Sequence, residues 1–212
     1  MLANHITSPS GDGSTDAQDT LLVHATPTYT HNALAELVRR GFVSCIVSQN
    51  VDALHQRAGT PRNRLSILHG CICEEMCDRC GCRYLRDYDV GTISFQKTGR
   101  KCEADACEGD LRDTLLDWED ALPESELALA ERECSAADLV LALGTSLRIE
   151  PAGSLPLLGR DLCIVNLQTT PKNAKAVLVI HAKVDDVMQV IMEQGFGLHL
   201  SPDGATWEDC GT

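Results

Sequence analysis

Four cysteines near the middle of the chain have the spacing of a metal site. They fall in two close pairs, Cys77-x2-Cys80 and Cys102-x4-Cys107. Tetrahedral zinc takes four thiolates, and a tight turn holds each pair at a suitable separation. The spacing predicts a structural zinc ion, because four thiolates leave no coordination position for water. Free thiols or a redox pair are the alternative interpretation. Two neighbouring thiols lie close enough in sequence to compete as ligands, Cys73 and Cys82.

Three predicted strands end in small or polar residues, namely Gln49-Asn50, Gly144-Thr145-Ser146 and Asn166-Leu167-Gln168. In an open parallel sheet, ligands bind outside the carboxyl ends of the strands. A glycine lets the backbone approach a nucleotide, and hydroxyl groups supply hydrogen bonds. Any one of these segments is also compatible with an ordinary turn. Together, the three favour a nucleotide site.

One histidine is the strongest candidate for a general base. His69 is followed by Gly70 and lies between the first polar strand end and the cysteine pairs. Histidine titrates near neutral pH and can therefore accept a proton from a reacting hydroxyl. A lone histidine is more often structural, so its position is what favours the catalytic interpretation. Trp118, after the cysteine pairs, either packs in a core or forms one wall of a substrate channel.

The surrounding residues predict the alternation of helices and strands that is typical of a doubly wound sheet. Apolar residues at helical spacing predict helices, and short runs of Val, Leu and Ile predict buried strands. The predicted helices cover residues 30–40, 52–58, 123–136 and 184–194. The predicted strands cover residues 42–48, 138–143, 162–165 and 177–180. We therefore predict an α/β fold with a Rossmann-like parallel sheet.

Residues 71–110 interrupt this alternation. They are rich in cysteine, glycine and charge, and such a segment has little apolar core and needs a metal to hold it together. We predict an inserted zinc-ribbon module there, between two parts of a Rossmann-like domain at residues 27–70 and 111–200. Residues 1–26 are expected to be disordered, and residues 201–212 to form a loose tail.

The composition restricts the class of protein. The chain has 212 residues and a formal net charge of −13, which argues against tight DNA binding, because that function requires a basic face. An acidic body suits a basic partner such as a lysine-rich peptide. Residues Met1 to Thr20 contain no apolar signal sequence, and the cysteine count of 11 is odd. Both features favour a reducing compartment over secretion. The longest apolar runs are too short to span a membrane.

Several ordered motifs resemble one family, the sirtuins, which are NAD-dependent protein-lysine deacylases. The resemblance extends from about Pro27 to about Gly197. The stretch from Leu111 to Asp120 is similar to the class IV, chromatin-associated branch. The matching motifs are Ser48 to His55, Leu68 to Gly70, the two cysteine pairs, Gly144 to Leu147 and Ile164 to Gln168.

The resemblance implies a role for each candidate residue. His69 would be the catalytic base, with Asn50 and Asp52 beside it in the reacting pocket. Trp118 would border the acyl-lysine channel. The cysteines of the two pairs would hold structural zinc. The residues implied to bind NAD are Gln49, Asn50, Asp52, His69, Gly144, Thr145, Ser146, Asn166, Leu167, Gln168 and Val184.

The resemblance also implies the reaction. The acyl oxygen of a modified lysine attacks the ribose carbon that carries nicotinamide, and His69 then takes a proton from a ribose hydroxyl. NAD is consumed, and the products are nicotinamide, O-acyl-ADP-ribose and free lysine. Protein ADP-ribosyl transfer is a further activity implied by the resemblance. Histone tails are the implied substrates, in the nucleus, with no sequence-specific nucleic-acid contact and no membrane.

The sequence departs from the family at its start. A Gly-Ala-Gly-x-Ser loop and an Asp-Phe-Arg segment bind the NAD phosphates and cover the nicotinamide in sirtuins, and neither is found. We therefore expect weakened NAD binding. The alternative function is a truncated, catalytically impaired sirtuin that acts as a zinc-containing protein-interaction module. Smaller departures are Ala53, where the family has Gly, Cys71, where it usually has Asn, and Ala182-Lys183, where it has Gly-Tyr.

Overall fold

The computed structural model describes residues 23–201 and 206–209. Most of the segment that we expect to be disordered, residues 1–26, therefore lies outside the described residues. The described chain divides into two compact units. The first unit comprises residues 23–26, 50–53 and 69–121, and the second comprises residues 27–49, 54–68, 122–201 and 206–209.

Four α-helices are present among the described helical elements. They are α1 (Tyr29–Arg39), α2 (Leu54–Arg57), α3 (Glu124–Ala136) and α4 (Val184–Val190). A π-helix, Ile191–Gly195, continues α4. Shorter 3-10 turns occupy Arg62–Arg64, Ala152–Leu158 and Asn173–Lys175.

The described residues also form eleven strands. The first six are β1 (Ile46–Ser48), β2 (Leu65–Ile67), β3 (Glu74–Cys77), β4 (Arg83–Leu85), β5 (Lys97–Lys101) and β6 (Asp110–Asp113). The remaining five are β7 (Leu139–Leu143), β8 (Asp161–Val165), β9 (Leu178–Ile180), β10 (Leu198–Leu200) and β11 (Trp207–Asp209).

Parallel strands form the framework of the second unit. Strands β7, β8 and β9 pair side by side in that order, and β1 pairs with β2. All three pairings are parallel, as expected for strands joined by crossover segments. The predicted Rossmann-like α/β fold is thereby confirmed.

Contacts with α4 hold the first turn and the buried face of helix α1. Its first turn is bound by Asp185 of α4, whose Oδ1 accepts from Thr28 Oγ1 at 3.1 Å and from the Thr30 amide at 3.0 Å. The buried face of α1 carries Ala33 and Leu37. These side chains pack in one cluster with Met188, Met192 and Leu198. The amphipathic spacing therefore decides which face of the helix is buried.

The predicted strand over residues 42–48 is wrong in its first half. The structure begins β1 only at Ile46, and Phe42 is 60% exposed. The amides of Phe42 and Val43 both donate to the Leu37 carbonyl, after Gly41 turns the chain with a φ of 80°. These residues satisfy the open carbonyls at the end of α1, so they belong to the helix terminus and not to the sheet.

Two other expectations need correction. The strand predicted at residues 138–143 is parallel but not buried throughout, since Leu139 is 57% exposed in β7, an edge strand of its three-stranded sheet within the described part of the chain. The described part of the expected loose tail is ordered, because β11 pairs with β10 in antiparallel register. Neither the edge position nor this pairing has a local sequence signal.

The first unit contains an antiparallel sheet with the order β4-β3-β6-β5. At its centre Glu75 is fully buried. Its carboxylate accepts hydrogen bonds from Arg86 and Arg100, each through Nε at 2.7 Å, and from the Thr98 hydroxyl. Burial opposes ionisation, but these hydrogen bonds hold the pKa of Glu75 below its ordinary value. A charged network thus replaces much of the apolar core in this unit.

No helix in the described ranges is long and apolar enough to cross a membrane.

A half-buried histidine in α2 makes the stability of the second unit sensitive to acid. The ring of His55 lies 4.6 Å from that of His31 in α1. His55 Nδ1 is buried without a hydrogen-bond partner among the described residues. Burial, together with the neighbouring His31, lowers the pKa of His55 from 6.5 to about 4. The unfolded chain therefore binds a proton between these two pH values that the folded chain excludes.

We predict that His55→Gln reduces the acid sensitivity of folding. The contribution of His55 is present above pH 6.5 and is lost as the pH falls toward about 4. Between pH 7 and 4.5 the free energy of unfolding should therefore fall by about 2 kcal/mol less in the variant than in the wild type. Urea unfolding at both pH values measures this difference. The exposed His24→Gln serves as the control, and equal acid losses in His55→Gln and wild type would contradict the prediction.

Candidate functional site

The register of the parallel sheet brings two predicted site segments together at one edge. Leu143, the last residue of β7, pairs with Val165, the last residue of β8. Gly144 and Asn166 therefore leave the sheet side by side. The Gly144 amide donates to the Val165 carbonyl at 2.9 Å, and the Asn166 amide donates to the Ile180 carbonyl at 3.1 Å. This is the carboxyl edge where parallel sheets bind ligands.

Gly144 leaves the backbone accessible at this edge. It has a φ of 60° and is exposed, and a Cβ at this position would lie 3.5 Å from Val184 Cγ2. The fold thus places the predicted residues Gly144 and Val184 in one neighbourhood. Thr145 is half-buried, and its Oγ1 accepts a hydrogen bond from the Leu147 amide at 3.3 Å, while Ser146 is exposed. The turn therefore presents small and polar groups to a ligand.

Asn166 has the clearest sign of a ligand contact. The residue is only 2% exposed, and its Nδ2 donates to the Gln168 carbonyl at 2.8 Å. Its Oδ1 is buried and has no hydrogen-bond partner within the described chain. A buried amide oxygen without a partner is costly, so this atom is suited to accept a hydrogen bond from a bound hydroxyl.

The segment after Asn166 exposes one apolar and one polar side chain. Leu167 is 55% exposed and Gln168 is exposed beside it. An exposed leucine next to polar groups can contact the flat face of a base while the neighbours bind its sugar. Gln49, the remaining predicted residue of the second unit, follows β1 directly, and β1 ends in register with Ile67. The polar groups and the exposed leucine of this unit therefore fit a nucleotide cofactor such as NAD.

The other predicted residues belong to the first unit, where Gly70 determines the path of the chain around His69. Gly70 has a φ of 75°, and a Cβ there would lie 1.7 Å from the Thr114 carbonyl oxygen. The residue after the histidine must therefore be glycine. The His69 carbonyl accepts a hydrogen bond from the Leu116 amide at 3.2 Å, so the backbone of the half-buried His69 is held from this side.

Asn50 and Asp52 lie on a segment that is bonded to the one after His69. The Ile72 amide donates to the Val51 carbonyl at 3.0 Å, which joins residues 50–53 to residues 69–73. Asp52 is half-buried and near Cys71, whose pKa is raised to about 12, mainly by burial. The first unit therefore brings three predicted residues, His69, Asn50 and Asp52, onto adjoining segments.

Two of the residues that depart from the family pattern, Ala53 and Cys71, are buried on these segments. Ala53 is 3% exposed and adopts a φ of 63°, a region that favours glycine. Cys71 is 1% exposed, and its Sγ accepts a hydrogen bond from the Cys73 amide at 3.4 Å. Both side chains pack in one apolar cluster with Ile72. Cys71 therefore has a packing role in this chain.

Trp118 lies on an exposed turn. It is 71% exposed, and its amide donates to Asp117 Oδ1 at 2.7 Å. Asp120 closes the turn, with its amide donating to the Asp117 carbonyl at 3.1 Å. The exposure excludes a core role for this tryptophan and leaves its indole available to a ligand.

The four cysteines of the predicted zinc site converge. The Sγ atoms of Cys77, Cys80, Cys102 and Cys107 all lie within 4.8 Å of one another. The Cys77–Cys107 and Cys80–Cys102 sulfur distances are 3.7 and 3.5 Å. Tetrahedral zinc with sulfur ligands at ~2.3 Å requires sulfurs about 3.8 Å apart, so this set fits zinc.

The neighbouring cysteines do not join the set. Cys73 is fully buried in the apolar cluster around Cys71. Cys82 is exposed and interacts with Cys80, but it is not one of the four cysteines whose sulfurs converge. Gly109 contributes to the fit, since a Cβ there would lie 2.4 Å from Cys77 Sγ.

Nothing in the sequence indicated that Tyr84 lies beside this cluster of cysteines. Its hydroxyl lies 3.1 Å from Cys102 Sγ and lowers the pKa of that thiol to about 6. A hydrogen bond to a ligand sulfur stabilises the thiolate that a metal requires. The only sequence signal is the alternation of side chains along β4, and it does not show that Tyr84 faces the metal site.

The comparisons with known proteins agree on one family. The Sir2 family profile matches residues 11–151, a match that begins well before Pro27, where the sequence resemblance begins. A relative from Arabidopsis thaliana, NAD-dependent protein deacetylase SRT1, is 54% identical over 80% of this chain. Human sirtuin-7, named NAD-dependent protein deacetylase, is 35% identical over 89% of this chain. The chain spans 37% and 50% of the length of these two relatives.

Solved structures give the same answer. A structure of Sir2Tm bound to a propionylated peptide has a TM-score of 0.64 and 33% sequence identity, covering 82% of this chain and 73% of that chain. A complex of Sir2 with p53 peptide and NAD+ has a TM-score of 0.64 and 32% identity, over 82% of this chain and 72% of that chain. The chain therefore belongs to the Sir2 family, and the resemblance to the sirtuins is confirmed.

We predict that Gly70→Ala is far more damaging than the same change at Gly91. Both glycines have similar φ angles, 75° and 78°, but a Cβ at Gly91 meets nothing within 4 Å whereas one at Gly70 overlaps the Thr114 carbonyl. Gly91→Ala should therefore cost only the backbone strain, about 1–2 kcal/mol. Gly70→Ala should cost roughly 3 kcal/mol or more, since the backbone itself must move. Denaturant unfolding compares them, and equal losses would contradict the prediction.

We predict that replacing Cys77 and Cys80 with Ser removes bound zinc and unfolds the sheet around it. Each change removes a thiolate ligand from the converged set, and a small metal-held module folds with its metal. Zinc content measured by mass spectrometry should fall from about one ion per chain toward zero, with a lower melting temperature. Cys82→Ser is the matched control and should retain zinc. Unchanged zinc content in the double variant would refute the assignment.

Proposed function

We propose that this chain is an NAD-dependent protein-lysine deacylase. The observation that carries the proposal is the buried Asn166 Oδ1, which has no partner in the described chain and lies at the carboxyl edge of a parallel sheet. An atom in this setting is suited to a nucleotide hydroxyl. The relatives named above and Drosophila melanogaster Sirt6, 39% identical, carry the name NAD-dependent protein deacetylase, which supports the same activity here.

The proposed NAD-binding residues are those that the resemblance implies, and each unit supplies some of them. In the second unit, the accessible backbone of Gly144 and the hydroxyls of Thr145 and Ser146 would contact the phosphates and ribose. Asn166, Leu167 and Gln168 would bind the adenosine part, beside Val184. Gln49 of the same unit would contact NAD. In the first unit, Asn50, Asp52 and His69 would line the nicotinamide pocket.

The proposed chemistry needs one proton acceptor. His69 would hold the base position, taking a proton from a ribose hydroxyl as that oxygen attacks the acyl carbon. NAD, when bound, supplies the ADP-ribosyl group that receives the acyl chain and releases nicotinamide. One water is consumed as the bond between the acyl carbon and the lysine nitrogen breaks, which gives free lysine and O-acyl-ADP-ribose as the other products. Protein ADP-ribosyl transfer uses the same leaving group and is proposed as a secondary activity.

The substrate proposed for this site is an acyl-lysine in a basic protein segment. The solved family structures with propionylated and acetylated peptides support the acyl-lysine class. The net charge of −13 favours association with cationic peptides. Histone tails and a nuclear location are the finer proposals, and they rest on the sequence resemblance. Trp118, exposed on its turn, would border the acyl-lysine.

Zinc would have a structural role in this scheme. Four thiolates complete its coordination, so no position remains for a reacting water. We retain as a proposal the division into an NAD-binding domain at residues 27–70 and 111–200 and an inserted zinc module at 71–110. In that division the metal would hold the segment that lies between His69 and Trp118 in the sequence.

The test is an assay of the zinc-loaded chain with NAD and an acetyl-lysine peptide. We expect nicotinamide and O-acetyl-ADP-ribose to form in equal amounts, and His69→Tyr to reduce the rate at least about 100-fold, since the variant lacks the proton acceptor. The exposed His24→Tyr is the matched control and should keep the wild-type rate. Full activity in His69→Tyr would refute the base assignment.

NAD binding is measured on the same sample by calorimetry. Asn166→Leu should weaken binding, because it removes the buried acceptor. A folded, zinc-loaded wild-type chain that neither binds NAD nor releases nicotinamide would contradict the proposed function and leave the zinc-containing interaction module as the alternative.

A further inference from the structure

A strained loop in the first unit lies close to the turn that carries Trp118. Ser94 and Phe95 both have positive φ angles, 70° and 59°. Side chains other than glycine rarely adopt this region, and two in succession persist only where other contacts hold them. Such contacts concentrate at functional sites, so the partners of this loop indicate what it supports.

One set of contacts holds the loop to the sheet. Asp113 is fully buried at the end of β6. Its carboxylate accepts the amides of Phe95 at 3.1 Å and Gln96 at 2.8 Å. The Asp113 amide in turn donates to the Gln96 carbonyl at 3.1 Å. The backbone strain is therefore balanced by charge-assisted hydrogen bonds to a buried carboxylate.

A second set joins the loop to the tryptophan turn. The Ser94 hydroxyl donates to Asp120 Oδ2 at 2.7 Å, and the same oxygen accepts the Asp117 amide at 2.8 Å. The hydrogen bonds from Ser94 and from the Asp117 amide hold the pKa of Asp120 below its ordinary value. Asp120 therefore remains a carboxylate that binds the loop and the start of the turn at once.

The same loop is tied to the backbone that carries His69. The Ser94 amide donates to the Leu115 carbonyl at 2.8 Å, and the next amide, that of Leu116, donates to the His69 carbonyl at 3.2 Å. Ser94 thus contacts, through its backbone, the segment after β6 that is bonded to His69, and it contacts the Trp118 turn through its side chain.

We propose that Ser94 is a positioning residue for the acyl-lysine substrate, because its hydroxyl, through Asp120, holds Trp118 in one orientation. Trp118 is 71% exposed, so packing does little to orient its ring. Holding the turn before substrate arrives removes part of the entropy cost of binding. This inference rests on the proposed function, in which Trp118 borders the acyl-lysine.

Two variants separate the effect of losing the Ser94 hydroxyl from the effect of relieving its backbone strain. Ser94→Gly removes the hydroxyl and also relieves the positive φ, so a merely structural role predicts equal or higher stability and no change in catalysis. Ser94→Asn tolerates the left-handed region and restores a hydrogen-bond donor toward Asp120, which makes it the rescue variant.

The experiment uses the full zinc-loaded chain with Trp207→Phe, which leaves Trp118 as the single tryptophan of the two. Time-resolved fluorescence anisotropy reports the local motion of Trp118, and steady-state kinetics give KM for an acetyl-lysine peptide and for NAD. We expect Ser94→Gly to keep its melting temperature, to increase Trp118 motion and to raise the peptide KM about three- to tenfold. The KM for NAD and kcat should stay within about twofold, and Ser94→Asn should return toward the parent.

A folded Ser94→Gly variant with unchanged Trp118 anisotropy and unchanged peptide KM would overturn the inference. An equal rise in the KM values for peptide and NAD would also overturn it, because a general loss of structure would then explain the effect. A parent chain without deacylation would contradict the proposed function separately. In that case the anisotropy of Trp118 alone decides whether Ser94 holds the turn.

Discussion

The close approach of two backbones at Gly70 is the constraint on which the first unit depends. No side chain fits between Gly70 and the Thr114 carbonyl, so two distant segments of the chain run against each other without an intervening layer. The hydrogen bond between Leu116 and His69, and the one between Ile72 and Val51, follow from that approach. One glycine thus allows the proposed base, the residues around Asp52 and the strand leading to Trp118 to share a neighbourhood.

The rest of the first unit compensates for a small apolar core. Four converging thiols provide a metal site, and the buried carboxylates of Glu75 and Asp113 each collect several hydrogen bonds. A buried charge is tolerable only when its partners satisfy it, which makes such networks specific about the path of the chain. The loop geometry next to Trp118 therefore rests on polar contacts more than on hydrophobic burial.

The second unit follows the opposite principle. Its helices and parallel strands bury Leu, Ile, Ala and Met in apolar clusters, and its predicted site residues Gly144 and Asn166 lie where β7 and β8 end. Asn166 is polar and buried, and its Oδ1 has no partner in the described part of the chain. An unpartnered buried oxygen at the carboxyl end of a parallel strand fits a binding site, because a bound ligand would offset its desolvation cost.

The sequence alone determined the fold class, the parallel strands, the four cysteines and the polar strand ends, because periodicity and motif spacing are local properties. Only the tertiary structure decided that Phe42 closes a helix, that Leu139 lies exposed in β7, that Tyr84 faces Cys102 and that Ser94 meets Asp120. Each of these depends on which residues come together from distant parts of the chain. Contacts of that kind have no period or spacing in sequence, so packing and hydrogen bonding establish them.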